Sequence, residues 1–173
     1  MSNRKLLSKN SKVLLSVDGT DCPIKEHNPF NTGYYSFKIN HSALRYEVAA
    51  AVHTGYVVWV NGPYPAGWPD ISIFRDGLKR EIGPAEKVIA DKGYKGESCI
   101  FLPQDGSCTQ QVQMKSIRAR QENINSRLKK FQCVKQITRH TQEKHSLMFH
   151  AVVVVVQIGF LINGPLYEVQ FNF

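Results

Sequence analysis

Residues 44–62 constrain the fold most. Two extended runs, LRYEVAAAVH and GYVVWVNG, are separated only by a short His53-Thr54-Gly55 connection. β-Branched and aromatic residues fill the second run and glycines bound it, which is the pattern of a strand. So short a connection joins neighbouring strands as an antiparallel hairpin. Two more extended segments precede it, an apolar run at 13–18 and YYSFKIN at 34–40. After a Pro/Gly loop, PYPAGWP, helical periodicity begins at DISIFRDGLKREIG, with Ile71, Phe74 and Leu78 on one face. Asp70 stands where an N-cap belongs, and Gly83-Pro84 ends the run.

The second half alternates differently. KVIADKGYKG reads as a short strand closing on Asp91 and a glycine-rich turn, CIFLP as a further strand and DGSCTQQ as a loop. Residues 113–131 are helical again, with Ile117, Ile124, Leu128 and Phe131 on one side, and a last helix is expected over 140–158. Strands, helix, strands and then helices fit an α/β mixed sheet flanked by helices, as in the ribonuclease-H-like fold. Within a chain of 173 residues with 42% hydrophobic content this is one domain, expected over 13–160. A basic arm (1–12) precedes it and a tail (161–173) follows.

Several function classes fall away. There is no apolar leader in MSNRKLLSKNSK, and AVVVVVQIGFLI is short of the ~20 residues of a membrane helix, so no membrane partner is expected. The four cysteines form no C-x-x-C pair and read as the reduced thiols of an intracellular protein. G-x-S-x-G, G-x-x-x-x-G-K-[ST] and H-E-x-x-H motifs are absent. His140, His145 and His150, five apart, drift round a helix and make poor ligands together. Tyr94, Trp59 and Trp68 read as packing or loop anchors.

Charge points to a partner. The net charge is +8, and residues 115–144 hold nine Lys/Arg against two Glu. The first twelve residues add four bases and no acid, while the remainder carries nine bases and twelve acids. Basic flanks around an acidic middle suit a polyanion with a cation site between, although a solvated helix surface has the same composition.

If the strands ending near Asp18 and Asp91 are parallel neighbours, both carboxylates emerge at one sheet edge, where open α/β sheets bind ligands. Glu122 lies on the long basic helix. Carboxylates converging to about 5 Å would repel by a few kcal/mol per pair at an effective dielectric of about 20. Such a cluster persists only if protonated or if it holds cations, and Mg²⁺ or Mn²⁺ suits an all-oxygen site. Taken singly, each acid has a plainer explanation: Asp18-Gly19 and Asp91 suit turns, and Glu122 can pair with Arg118 on a helix surface. Asp21 is accounted for by hydrogen bonding within the DGTD stretch.

Four blocks taken in order, SVDGTDCPI, WPDISIF, VIADKGYKGE and RARQENINSRLKKF, resemble the motifs of DDE-superfamily endonucleases. These are the catalytic domains of PIF/Harbinger-type and related transposases. Arg118, Glu122 and Lys129 match three members of the Tyr-x2-Arg-x3-Glu-x6-Lys signature, and Lys115 stands in the tyrosine position. On a helix those three lie within roughly 40° of one stripe. The apolar residues lie opposite, so the last helix is expected to cover them and leave the stripe facing the acids.

The resemblance implies a ribonuclease-H-like domain that cleaves DNA phosphodiesters by hydrolysis or strand transfer, acting in the nucleus. It implies Asp18, Asp91 and Glu122 as catalytic ligands of two divalent ions (Mg²⁺ or Mn²⁺), with Asp70 as a further ligand. Arg118, Lys129 and Lys92 are expected to hold DNA phosphates. Relatives carry a separate DNA-binding segment, so a DNA-binding subunit or a homo-oligomer is a further expectation. The alternative is a domesticated relic that binds nucleic acid or protein without cutting.

Overall fold

The computed structural model describes residues 12–164 and Val169. The N-terminal arm before residue 12 and most of the C-terminal tail lie outside the described residues.

Six strands form one sheet: β1 (Val13–Pro23), β2 (Tyr35–Ser36), β3 (His41–Ala51), β4 (Val57–Pro65), β5 (Lys87–Ile89) and β6 (Ile100–Phe101). Their order is β2-β3-β1-β5-β6, with β4 also paired to β3. β1 is central, antiparallel to β3 and parallel to β5, which in turn is parallel to β6. The sheet is therefore mixed, as expected.

The hairpin of β3 and β4 closes at Gly55, whose φ is +72° and whose N–H donates to the Ala51 carbonyl. A side chain there would be strained and would also meet the Arg120 chain at 3.2 Å, so glycine is required twice over.

The helices are α1 (Asp70–Asp76), α2 (Leu78–Glu81), α3 (Cys108–Leu128), α4 (Gln132–Lys135) and α5 (Gln142–Asn163). Three stretches of the chain differ from the sequence reading for identifiable reasons. The single helix expected after Asp70 breaks at Gly77, whose φ and ψ of −117° and −93° are not helical. Its N-cap is Pro69, without a side-chain cap, so Asp70 is the first helical residue rather than the cap. α3 starts five residues earlier than expected, because Ser107 and Gln110 form a reciprocal capping box inside the stretch read as loop. YYSFKIN keeps only two residues in β2. The rest turns back into β3 through Asn40, which adopts φ +53°.

Strand alternation gives each sheet face its own core. On one face Leu15, Val17 and Ala49 pack with Phe74, Leu78 and Tyr94. On the other, Cys22, Tyr46 and Val48 pack with Ile124 and Leu128 of α3 and with Phe149, Val152, Val156 and Phe160 of α5. Met114 and Ile117 extend that layer over Val13, Val52 and Ile89. α3 thus packs its apolar side on the sheet itself as well as against α5, where the sequence reading expects the last helix to cover that side, and Glu122 is left exposed. α5 has 22 residues and is long and apolar enough to cross a bilayer, which corrects the shorter span read from sequence. Its inner face belongs to the core, while Leu147, Val154, Ile158 and Leu161 face outward.

Candidate active site

β1 does not end at Asp18, as the sequence suggested, but runs on to Pro23. It is β5 that ends. Parallel pairing stops at Ser16↔Ile89, while β3 stays paired on the other side, with Asp18 opposite Val48. A notch opens in the sheet beside Asp18, and the chain leaving β5 brings Asp91 to it. Asp91 caps a short 3₁₀ turn (Lys92–Tyr94), its Oδ1 accepting the Gly93 N–H at 2.8 Å. Tyr94 anchors that turn in the core, edge-on to Phe74.

Asp18 and Asp21 diverge because an odd spacing on a strand puts side chains on opposite faces. Asp21 lies opposite Arg45 in the β1–β3 register and is gripped by it twice, at 2.7 and 2.9 Å, while Ser36 donates at 2.6 Å. Burial would raise its pKa, but these bonds and the Arg45 charge outweigh burial and hold it below the usual range. Asp21 is a structural anchor, fixed by a cross-strand ion pair and not by its own loop.

Asp18 faces α3. Asn125 donates to its Oδ2 at 2.8 Å and the Gly19 N–H donates to its Oδ1 at 2.8 Å. Gln121, one turn earlier, bridges two strands: it accepts from Ser16 Oγ at 2.9 Å and donates to the Val48 carbonyl at 3.0 Å. The cavity beneath, about 240 Å³, is lined by Asp18, Asp91, Glu122, Arg118, Gln121 and Lys38, among others. The three acids singled out in the sequence therefore border one space. Glu122 is exposed at its wall, on the polar side of α3. Arg118 borders the same cavity, and Lys92 is exposed on the turn beside Asp91. Lys129 does not join them; it lines a neighbouring cavity with Asp21, His41 and Lys135.

Burial raises the pKa of Asp18; Lys38 counters this, while the charges of Asp91 and Asp70 add to it. Asp70 is raised for the same first reason, opposed by Arg45 and reinforced by Asp91. Its Oδ1 takes a bond from Arg45 at 3.0 Å. Its carboxylate is wedged between two glycines: a Cβ on Gly19 would come within 2.9 Å of Oδ1, and one on Gly93 within 2.7 Å of Oδ2. Only backbone without side chains lets Asp70 approach both the strand that carries Asp18 and the turn that carries Asp91.

Sequence reasoning missed Asn125, Gln121 and Lys38. The first was within reach, since Asn125 follows Glu122 by three and so lies near the same helical stripe. Lys38 arrives from the β2–β3 turn, and no local pattern signals that approach.

The donor chemistry suits a hard divalent cation: two aspartates share one cavity, and their mutual repulsion is what such a charge would relieve. Among the described residues, no three His, Cys, Asp or Glu side chains form a ready metal-binding group. Asp18 and Asp91 border the cavity together, with Glu122 at its wall.

A central strand antiparallel on one side and parallel on the other, with acids where the parallel neighbour departs and a helix across them, defines a ribonuclease-H-like α/β domain. The family model of DDE superfamily endonucleases matches residues 17–157, and the chain belongs to that family. Its general function is of the nuclease or transposase type. The family implies a DNA substrate and generally uses divalent metals. No curated protein and no solved structure matches the chain.

Proposed function

We propose that this domain cuts or joins DNA phosphodiesters at the Asp18–Asp91 cavity in a divalent-metal-dependent reaction. One observation carries the reading: strands parallel to each other deliver two aspartates to a single cavity beneath a helix that lines it with Glu122 and Arg118. Asp18, Asp91 and Glu122 would hold the cation, which when bound supplies activation of the attacking oxygen and neutralisation of the leaving one. Asn125 and the Gly19 N–H keep the Asp18 carboxylate oriented. Arg118, Lys92 and Lys38 hold the non-bridging oxygens of the scissile phosphate, and Lys129 with Lys135 takes the strand onward. Water attacks phosphorus, a P–O bond to the sugar breaks and the departing oxygen takes up a proton. In strand transfer a DNA 3′-hydroxyl replaces the water. Asp70 braces the strand that carries Asp18 and the turn that carries Asp91. A basic chain of net charge +8 suits a DNA partner, and the nucleus is the compartment where that substrate lies.

The test is plasmid nicking with Mn²⁺ by the wild type and by Asp18→Ala and Asp91→Ala variants. Nicking by wild type alone is expected, and equal cleavage by all three removes the assignment. A second reading, a domesticated relic that binds DNA without cutting, is favoured by the lack of a ready three-ligand group among the described residues and by Lys115. It expects no nicking but salt-sensitive DNA binding.

A further inference from the structure

A second groove adjoins the acid cavity, and its lining differs in kind. Tyr35, Phe37, Trp68, Lys38, Arg45 and Asp70 border about 310 Å³ of space, at the lower end of ligand-sized clefts. Phe37 is 86% exposed and Trp68 44%, so two large aromatic faces stand in water. Neither is loose. Phe37 follows β2 directly and packs edge-on against Tyr35 at 5.2 Å, and Tyr35 in turn meets Phe30 at 6.0 Å. Trp68 lies against Tyr64 at 5.4 Å. Arg45 and Asp70 also line it, bonded to each other at 3.0 Å, and Arg45 is held further by Asp21 and by the Trp68 carbonyl, so this polar side of the groove is fixed in place. Lys38 belongs to both spaces: it lines the acid cavity and this groove, with Nζ 3.4 Å from the Gly19 carbonyl.

A sugar–phosphate backbone carries a negative charge beside each flat, aromatic base. A cation between a carboxylate cavity and an aromatic groove suits one such unit, with phosphate at Lys38 and a base beyond it. Bases inside a duplex have no free face, so the groove requires an unpaired one. We infer that the Phe37–Trp68 groove holds an unstacked nucleobase of a DNA strand whose phosphate rests on Lys38 beside the Asp18–Asp91 cavity. The aromatic faces stack on the base, and Arg45 and Asp70 face its polar edge. The inference rests on the DNA reading above, but not on cleavage.

The experiment measures binding of fluorescein-labelled DNA by anisotropy, in EDTA, with a single-stranded 12-mer and a blunt hairpin duplex containing that sequence. The wild type should bind the single strand more tightly than the duplex. Phe37→Ala and Trp68→Ala should each weaken single-strand binding by roughly tenfold, as loss of one stacking contact does, and leave duplex binding unchanged. Phe37→Trp should restore it, a rescue that a merely structural role would not give. Lys38→Ala should weaken single-strand binding and flatten its salt dependence. Wild-type binding to neither probe, an equal loss on both, or no loss in either aromatic variant overturns the inference. Nicking that persists while the aromatic variants bind normally removes the groove but keeps the nuclease. Lost single-strand binding in the aromatic variants of a protein that never nicks keeps the groove and removes the nuclease.

Discussion

Asn125 shows how little separates a structural contact from a functional one. Its amide donates to Asp18 from a nearly closed position, being 9% exposed. Replacing it by Ala removes a hydrogen bond to a carboxylate, worth about 1.5–3 kcal/mol. Replacing it by Asp puts a further negative charge beside Asp18, whose ionised form burial and Asp91 already disfavour. Asn125→Asp should therefore melt below Asn125→Ala in EDTA. If the cavity takes a divalent cation, Mn²⁺ should raise the melting temperature of Asn125→Asp by more than that of wild type. Equal shifts in the two proteins would show that the ion acts elsewhere. Gly93 makes a related point. A methyl group there would press on the Asp70 and Asp91 carboxylates, so a residue without a side chain fixes the spacing of those two acids.

At the scale of elements, α3 is held as much by polar groups as by apolar ones. Gln121 satisfies Ser16 Oγ and the Val48 carbonyl from one buried side chain, and Arg120 donates to the Ala51 and Val52 carbonyls. Gln121→Ala leaves two buried partners unmet, at about 1–3 kcal/mol each. In a chain of this size each kcal/mol lowers the midpoint by about 2–4 °C. Thermal melting of the variant should show a loss of several degrees, and a change below one degree would mean that α3 is docked by its apolar face alone.

These same contacts mark where the sequence stops being legible. The β3–β4 hairpin and the bodies of α3 and α5 are readable because propensity, turn residues and periodicity agree there. Asp18 and Asp91 can be paired from sequence because β1 and β5 are parallel neighbours, although only β5 ends beside the cavity. The early start of α3 was hidden because Ser107 and Gln110 look like loop residues until they cap each other. Where β1 ends was misread because Asp-Gly usually turns, yet Asp18-Gly19 continues the strand under β3. Lys38, Arg45 and Gln121 reach the site or brace it from elements 19 to 105 residues away, and no local pattern encodes that.

For the whole molecule, one buried carboxyl away from the cavity adds its own part to the response to pH. Glu47 is 1% exposed on the α1 side of the sheet and accepts a bond from Trp59 at 3.2 Å. Burial pushes its pKa up to about 8, against the pull of the Trp59 bond. The folded protein keeps this proton after the unfolded chain has lost it, so stability from this group is full below pH ~4.5. It declines as pH rises and is lost through pH ~8, a total on the order of a few kcal/mol. Glu47→Gln keeps the shape without the titration. Its melting temperature relative to wild type should climb steadily from pH 5 to pH 8 and level off above. A constant difference across that range would place the proton elsewhere.

The acids bordering the cavity come from a strand at residue 18, a turn at 91 and a helix at 122. A growing polypeptide therefore emerges with each of them long before anything draws them together. Loops that long close slowly, and the parallel pairing of β1 with β5 cannot form early. Whatever chemistry the cavity performs, an unfinished or truncated chain does not have it. The cavity is complete only with α3 lying over the notch.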